Sequence, residues 1–161
     1  MIHILVHDKK DTVGVAVVEG IKDVKLAVHL CRRAGARVRG EESHQGGYEP
    51  ILKQLNRLKV HHLTMEFTAP GAGDVSVFKH LRDDFEIGLG SCSCHPGQID
   101  SPETIVSRIE HAIEYLSPER ITLNPDCGFA PGSAAKVSID EVYQKLKHEV
   151  EAAKRLRNDF A

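Results

Sequence analysis

The feature that most constrains this chain is a rhythm in which a short apolar run is followed by a turn and a longer amphipathic stretch, four times over. Lys25–Cys31 is the first predicted strand. A polar, Gly-rich stretch follows to Gly47, and Tyr48–Leu58 then places Ile51, Leu52, Leu55 and Leu58 at helical spacing. His61–Thr68 is the second strand, and Val75–Leu81 is a short helix behind an N-cap at Asp74. Phe85–Ser91 is the third strand. Ser101, followed by Pro102, opens a helix with a cap and then proline at the first helical position. That helix runs to Leu116, with Ile105, Ile109, Ala112, Ile113 and Leu116 inward. Ile121–Leu123 is the fourth strand and ends in Asn124-Pro125-Asp126-Cys127-Gly128. Ser138, with Glu141 three residues on, caps a last helix that reaches towards Asn158. Val142, Leu146, Val150, Ala153 and Leu156 fall on one stripe of it. Asp11–Asp23 reads as one further weak helix, and residues 1–7 as an extra strand.

Alternation of this kind predicts an α/β fold, because a strand that returns through a helix re-enters the sheet as a parallel neighbour with a right-handed crossover. No linker or shift of composition divides the chain, so residues 1–161 are read as a single domain. At 161 residues the chain is long enough to bury one core. A net charge of −2, interspersed acid and base, and the absence of Trp argue against a nucleic-acid face. No apolar stretch approaches the roughly 18 residues of a membrane span. Met1–His7 is too short for a signal sequence and is followed at once by Asp8, so a cytoplasmic location is expected. In that compartment the four cysteines are thiols or metal ligands rather than disulfides.

Parallel α/β folds collect function at the C-terminal ends of their strands. His29 and Cys31 end the first strand, two residues apart and so on the same side of it. Glu66 lies near the end of the second, Cys92, Cys94 and His95 follow the third, and Cys127 follows the fourth. Two thiolates, an imidazole and a carboxylate make a tetrahedral zinc set, and sulfur favours such a borderline metal over magnesium or calcium. The alternative is that Cys31 and Cys127 fill space as buried thiols commonly do. Cys92 and Cys94, at Cys-x-Cys spacing, compete for the ligand roles but are read as bland thiols. Asp126 is placed either to orient a substrate amine or a ligand, or to cap a turn. Gly71 and Gly73 are read as turn glycines, and Glu41, Glu42 and His44 as a solvated loop.

At these residues the sequence resembles the C-terminal domain of cobalamin-independent methionine synthase. The matching pieces are His29-Leu-Cys31-Arg32, Gly47-Tyr48, Leu63-Thr-Met-Glu66-Phe67, Ile87-Gly-Leu-Gly90, and Ser117 through Gly128, with the closing helix from Lys145-Leu146 to Arg157. The likeness runs from about residue 18 to 158; residues 1–17 match poorly and are read as a truncation scar. It implies (β/α) units from the C-terminal half of a TIM (β/α)8 barrel. It also implies zinc held by His29, Cys31, Glu66 and Cys127. The metal would bind the thiol of homocysteine or a related substrate, and the thiolate would attack a methyl donor such as methyltetrahydrofolate. His95 matches the family's proton donor to the folate leaving group, although the usual Asp two residues before it is Ser93 here.

A full barrel takes eight units and about 250 residues, whereas four are visible here. Half a barrel leaves unpaired strand edges and an uncovered apolar interior. The expected partners are therefore the thiol, a methyl donor, and either further copies of the chain or a separate first-half subunit. Neither nucleic acid nor a membrane is expected. Alternatives carried alongside are alkyl transfer of the epoxyalkane–coenzyme M transferase type and a zinc-binding subunit without activity of its own.

Overall fold

The computed structural model describes residues 20–31, 46–129 and 137–160. The strand expected at 1–7, most of the helix expected at 11–23, and the loop carrying Glu41, Glu42 and His44 lie outside the described residues.

Four parallel strands pair in the order in which they occur in the sequence: β1 (Ala27–Leu30), β2 (His62–Met65), β3 (Glu86–Cys92) and β4 (Ile121–Pro125). Helical elements separate them. A 3-10 turn at Glu49–Ile51 runs into α1 (Leu52–Leu55); α2 (Pro102–Ile113) precedes β4, and α3 (Ile139–Asp159) closes the chain. The α/β alternation read from the sequence is therefore present; β1 and β2 are shorter than expected, β3 is displaced by one residue and β4 runs on to Pro125. The short helix expected after β2 is present. It is a 3-10 helix, Val75–His80, in keeping with β-branched Val75 and Val77 in so short a segment. Asp74 still caps it, accepting from the amide of Ser76 at 2.8 Å. Ser101 and Ser138 cap α2 and α3, each accepting from the amide three residues on at 3.2 Å.

Strand alternation separates two faces. Val28, Leu30, Leu63, Met65, Ile87 and Leu89 point to the helices and are buried with Ile109, Ala112, Leu116 and Leu156. Each such side chain contributes about 1.5–3 kcal/mol on leaving water. The other face carries His29, Thr64, Gly88 and Thr122 in register across all four strands. A methyl group added at Gly88 would meet the side chains of Asn124, His62 and Thr64, so these polar groups share that face. The apolar interior expected of an open half barrel is thus replaced by polar side chains and glycine, which tolerate water.

The last helix also departs from expectation. It buries Lys145, Glu149, Ala152 and Leu156, while Leu146 and Val150 are 41% and 53% exposed. The buried face contains two ionisable groups because both have partners: Lys145 pairs with Glu141 at 2.9 Å, and Glu149 accepts from the Ser91 hydroxyl at 3.3 Å. The apolar surface left over lines a groove of about 620 Å³ between α2, β4 and α3, with Ile109, Leu123, Val150 and Phe160 in its walls.

Burial pushes the Glu149 carboxyl up to about 7. Between its ordinary value near 4.5 and that value, the folded chain holds a proton that the unfolded chain has lost. Stability attributable to this group therefore falls as pH rises through that window. Glu149→Gln is expected to melt roughly 5 °C higher than the parent at pH 8 and at the same temperature near pH 4.5, as read by thermal unfolding across pH.

Candidate metal centre

The C-terminal ends of β1, β2 and β4 bring a compact set of donors together. The ligand atoms of His29, Cys31 and Cys127 all lie within 4.8 Å of one another. The two sulfurs are 3.0 Å apart. Glu66 Oε2 lies 3.7 Å from Cys31 Sγ and 3.6 Å from Cys127 Sγ. The edge between sulfur and oxygen in a tetrahedral zinc shell is about 3.5 Å, which these distances approach. The sulfur–sulfur edge would be about 3.8 Å, so the thiols would part by under an ångström to admit the ion.

Local structure explains how each group arrives. In β1 the residues facing the helices are Val28 and Leu30, which leaves His29 and Cys31 on the opposite side. Glu66 is fully buried one residue past β2. The Tyr48 hydroxyl fixes its backbone on both sides, donating to the Glu66 carbonyl at 3.0 Å and accepting from the Glu66 amide at 3.1 Å. The same hydroxyl lies 3.3 Å from the Leu30 carbonyl, which ties the ends of β1 and β2 together. Cys127 follows β4 in a left-handed turn, with φ of 49° at Cys127, 58° at Gly128 and 57° at Phe129. Side-chain-bearing residues adopt this conformation at a cost of about 1–2 kcal/mol.

Asp126 holds that turn in place. Oδ1 accepts from the Phe67 amide at 3.2 Å and Oδ2 from the Thr68 amide at 3.0 Å, and the Thr68 hydroxyl also donates to it. Its carboxylate therefore caps the turn after Glu66, in agreement with the turn-capping alternative. The carboxylate passes directly over Gly90, where an added methyl group would overlap Asp126 Oδ1 and come within 2.7 Å of the Met65 carbonyl. Gly73 (φ 89°) likewise packs against the backbone of Gly47, as a turn glycine should.

The surroundings of the two thiols favour their neutral forms. The Cys127 thiol is pushed far up, first by its hydrogen bond with Cys31 and then by burial, with Cys94 and Asp126 adding negative field. Two thiols beside a buried carboxylate cannot all ionise unless positive charge enters, so metal binding here would release protons. Thiolate, thiolate, imidazole and carboxylate are donors suited to zinc. Cys92 and Cys94 are buried and stand outside this group. Burial raises Cys92 to about 12, and its sulfur lies 3.9 Å from the Lys145 carbonyl. His95 sits half-buried in the loop after β3 and is likewise not one of the grouped donors. Tyr48 and Lys145 carried no sequence signal for the parts they play; Tyr48 was visible only inside the Gly-Tyr pair.

Comparison with known proteins bears on family and fold. The family described as "Cobalamin-independent synthase, Catalytic domain" matches residues 22–155. A methionine synthase of Saccharolobus islandicus is 30% identical over 147 residues, which cover 90% of this chain and 39% of the relative. The protein YxjH of Bacillus subtilis, described as uncharacterized, is 27% identical over 88% of this chain and 38% of its own length. The B12-independent methionine synthase of Shewanella sp. W3-18-1, solved with selenomethionine, superposes with a TM-score of 0.72. It is 17% identical over 88% of this chain and 41% of that one, a likeness of fold. A putative vitamin-B12 independent methionine synthase of Listeria monocytogenes gives 0.61 at 26% identity, over 88% and 37%. The chain thus spans about two fifths of the length of these relatives. Its four parallel strands match part of a methionine synthase barrel, and the chain belongs to the cobalamin-independent methionine synthase catalytic-domain family.

Proposed function

We propose that this chain is the metal-holding part of a zinc-dependent methyltransferase, with zinc on His29, Cys31, Glu66 and Cys127. The observation that carries this reading is the meeting of His29, Cys31 and Cys127 within 4.8 Å beside Glu66, in a chain of this family. Zinc so held supplies the Lewis acidity that keeps a thiol, homocysteine in this reading, ionised at neutral pH. The protein's own groups do the rest. Tyr48 and Asp126 hold the Glu66 and Cys127 backbones so that the donors keep their spacing. Asp126 accepts from three protein donors, which makes it a poor hold for a substrate amine. His95 delivers a proton to the nitrogen that loses its methyl group to the thiol, because an amide-like or amine anion is too poor a leaving group unprotonated. A methyltetrahydrofolate-type carrier fits that chemistry.

The matched relatives are more than twice as long, and the sheet has open edges at β1 and β4 among the described residues. Methyl transfer is therefore assigned to an assembly in which further strands continue both edges, whether from the same polypeptide, further copies or a second subunit. The exposed Ile139, Tyr143, Leu146 and Val150 on α3 give that assembly an apolar surface to cover.

The purified chain is expected to carry one zinc per polypeptide by elemental analysis. Cys31→Ser and Cys127→Ser should each lower that content by about ten-fold or more while the fold, read by circular dichroism, persists. A metal-free chain under zinc-replete conditions would refute the proposal. Zinc-edge absorption with homocysteine should gain one sulfur neighbour; an unchanged shell would refute thiol activation. Size-exclusion with light scattering should show an assembly rather than a monomer. In an active assembly, His95→Gln should slow methyl transfer about 100-fold or more and leave zinc in place.

A further inference from the structure

The segment from Ser91 to Asp100 runs off the end of β3 and carries His95; the Gln98 amide donates to the His95 carbonyl at 3.3 Å, and side chains hold much of the rest of its backbone. Arg108 Nη1 donates to the Ser91 carbonyl at 2.7 Å, and Asp100 Oδ2 accepts from the Ser93 amide at 2.7 Å. Arg108 also pairs with Asp100 Oδ1 at 2.9 Å. His148 Nδ1 donates to the Asp100 carbonyl at 2.8 Å, and the Ser93 hydroxyl accepts from the His95 amide at 3.2 Å. At the centre of this set is Lys145, fully buried on α3. Its ammonium donates to the carbonyls of Ser93 (3.0 Å) and His95 (2.6 Å) and pairs with Glu141 Oε1 at 2.9 Å. Glu141 Oε1 in turn accepts from the Gly97 amide at 2.8 Å.

An ammonium has three protons, and these three oxygens accept all of them. Burying a charge is costly unless it is paired and fully hydrogen-bonded, and a neutral helix face of the same volume would pack against this loop more cheaply. The arrangement does something an apolar contact would not: it takes the carbonyl of His95 itself as one leg of a rigid tripod. Together with Glu141 on Gly97, it anchors the backbone on both sides of the His95 ring. We propose that Lys145, with Glu141 as its counter-charge, is a positioning residue that sets the direction in which His95 presents its imidazole. This deepens the functional reading above and rests on its assignment of His95 as proton donor. Lys145 itself touches no reacting atom.

The test compares the full-length, zinc-loaded protein with Lys145→Met, Glu141→Ala and His95→Gln, in the assembled state in which the wild type turns over. Hydrogen exchange should quicken about ten-fold or more across residues 93–97 in Lys145→Met, while α3 stays protected and zinc content is unchanged. The variant's kcat for methyl transfer should fall about 100-fold with KM for homocysteine within about two-fold, the signature of a misdirected donor rather than a lost binding contact. The limb of the pH profile that His95→Gln removes should also flatten. Unchanged exchange at 93–97, or unchanged kcat in an active protein, would overturn the proposal. A general loss of α3 protection would show a merely structural part and overturn it too. If Lys145→Met does not fold, Glu141→Ala, which frees the Gly97 amide and strips the ammonium of its counter-charge, is expected to give the same loop exchange and kcat loss. A zinc-loaded wild type inert towards homocysteine would refute the methyltransferase reading and leave the exchange data to decide the tripod.

Discussion

The carboxylate of Asp126 is the interaction on which the rest of the site depends. It starts from the residue after β4 and reaches across β3 to the two amides that follow Glu66 beyond β2. Parallel strands alone bring their C-terminal ends to one side of a sheet; they do not set the height at which loop residues stop. Asp126 sets it for two of them at once, so that Glu66 and Cys127, 61 positions apart in sequence, stand 3.6 Å apart in space. The span is possible only because β3 contributes Gly90 where the carboxylate crosses. Tyr48 closes the remaining gap by joining the Glu66 backbone to the end of β1.

Once those ends are tied, the chemistry follows from crowding. Two thiols and a buried carboxylate share one corner with an imidazole, and there the hydrogen bond to Cys31 and burial push the Cys127 thiol up. The left-handed turn at Cys127 belongs to the same crowding, and its sulfur lies 3.0 Å from Cys31 Sγ and 3.6 Å from Glu66 Oε2. A site built this way holds its donors close together without an ion, and an ion bound there would stabilise the fold that holds them.

Around this corner the distribution of polarity is the reverse of an ordinary open sheet. The face opposite the helices is lined by His29, His62, Thr64, Asn124 and glycine, while apolar side chains of α3 stand in solvent beside a groove. The candidate donors stand at the C-terminal ends of the strands, where such barrels carry their sites, and the apolar surface of α3 suits packing against a neighbouring unit. The strand expected at residues 1–7 and the polar loop after β1 lie outside the described residues and do not enter this account.

The sequence by itself determined the alternation of strands and helices, the helix caps at Ser101 and Ser138, and the placing of His29, Cys31, Glu66 and Cys127 at strand ends. These are local matters: periodicity, capping chemistry and position within a segment are written in neighbouring residues. It misjudged α3, because a helical stripe of valine and leucine looks inward until Lys145 and Glu149 find partners 52 and 58 positions away, at and beyond the end of β3. Nor could it separate the two uses of Asp126, or single out Tyr48, since each is defined by hydrogen bonds to backbone brought near only by folding. Which donors meet, which charges are buried and which loop is held were decided by the tertiary structure, because only there do groups far apart in sequence compete for the same few ångströms.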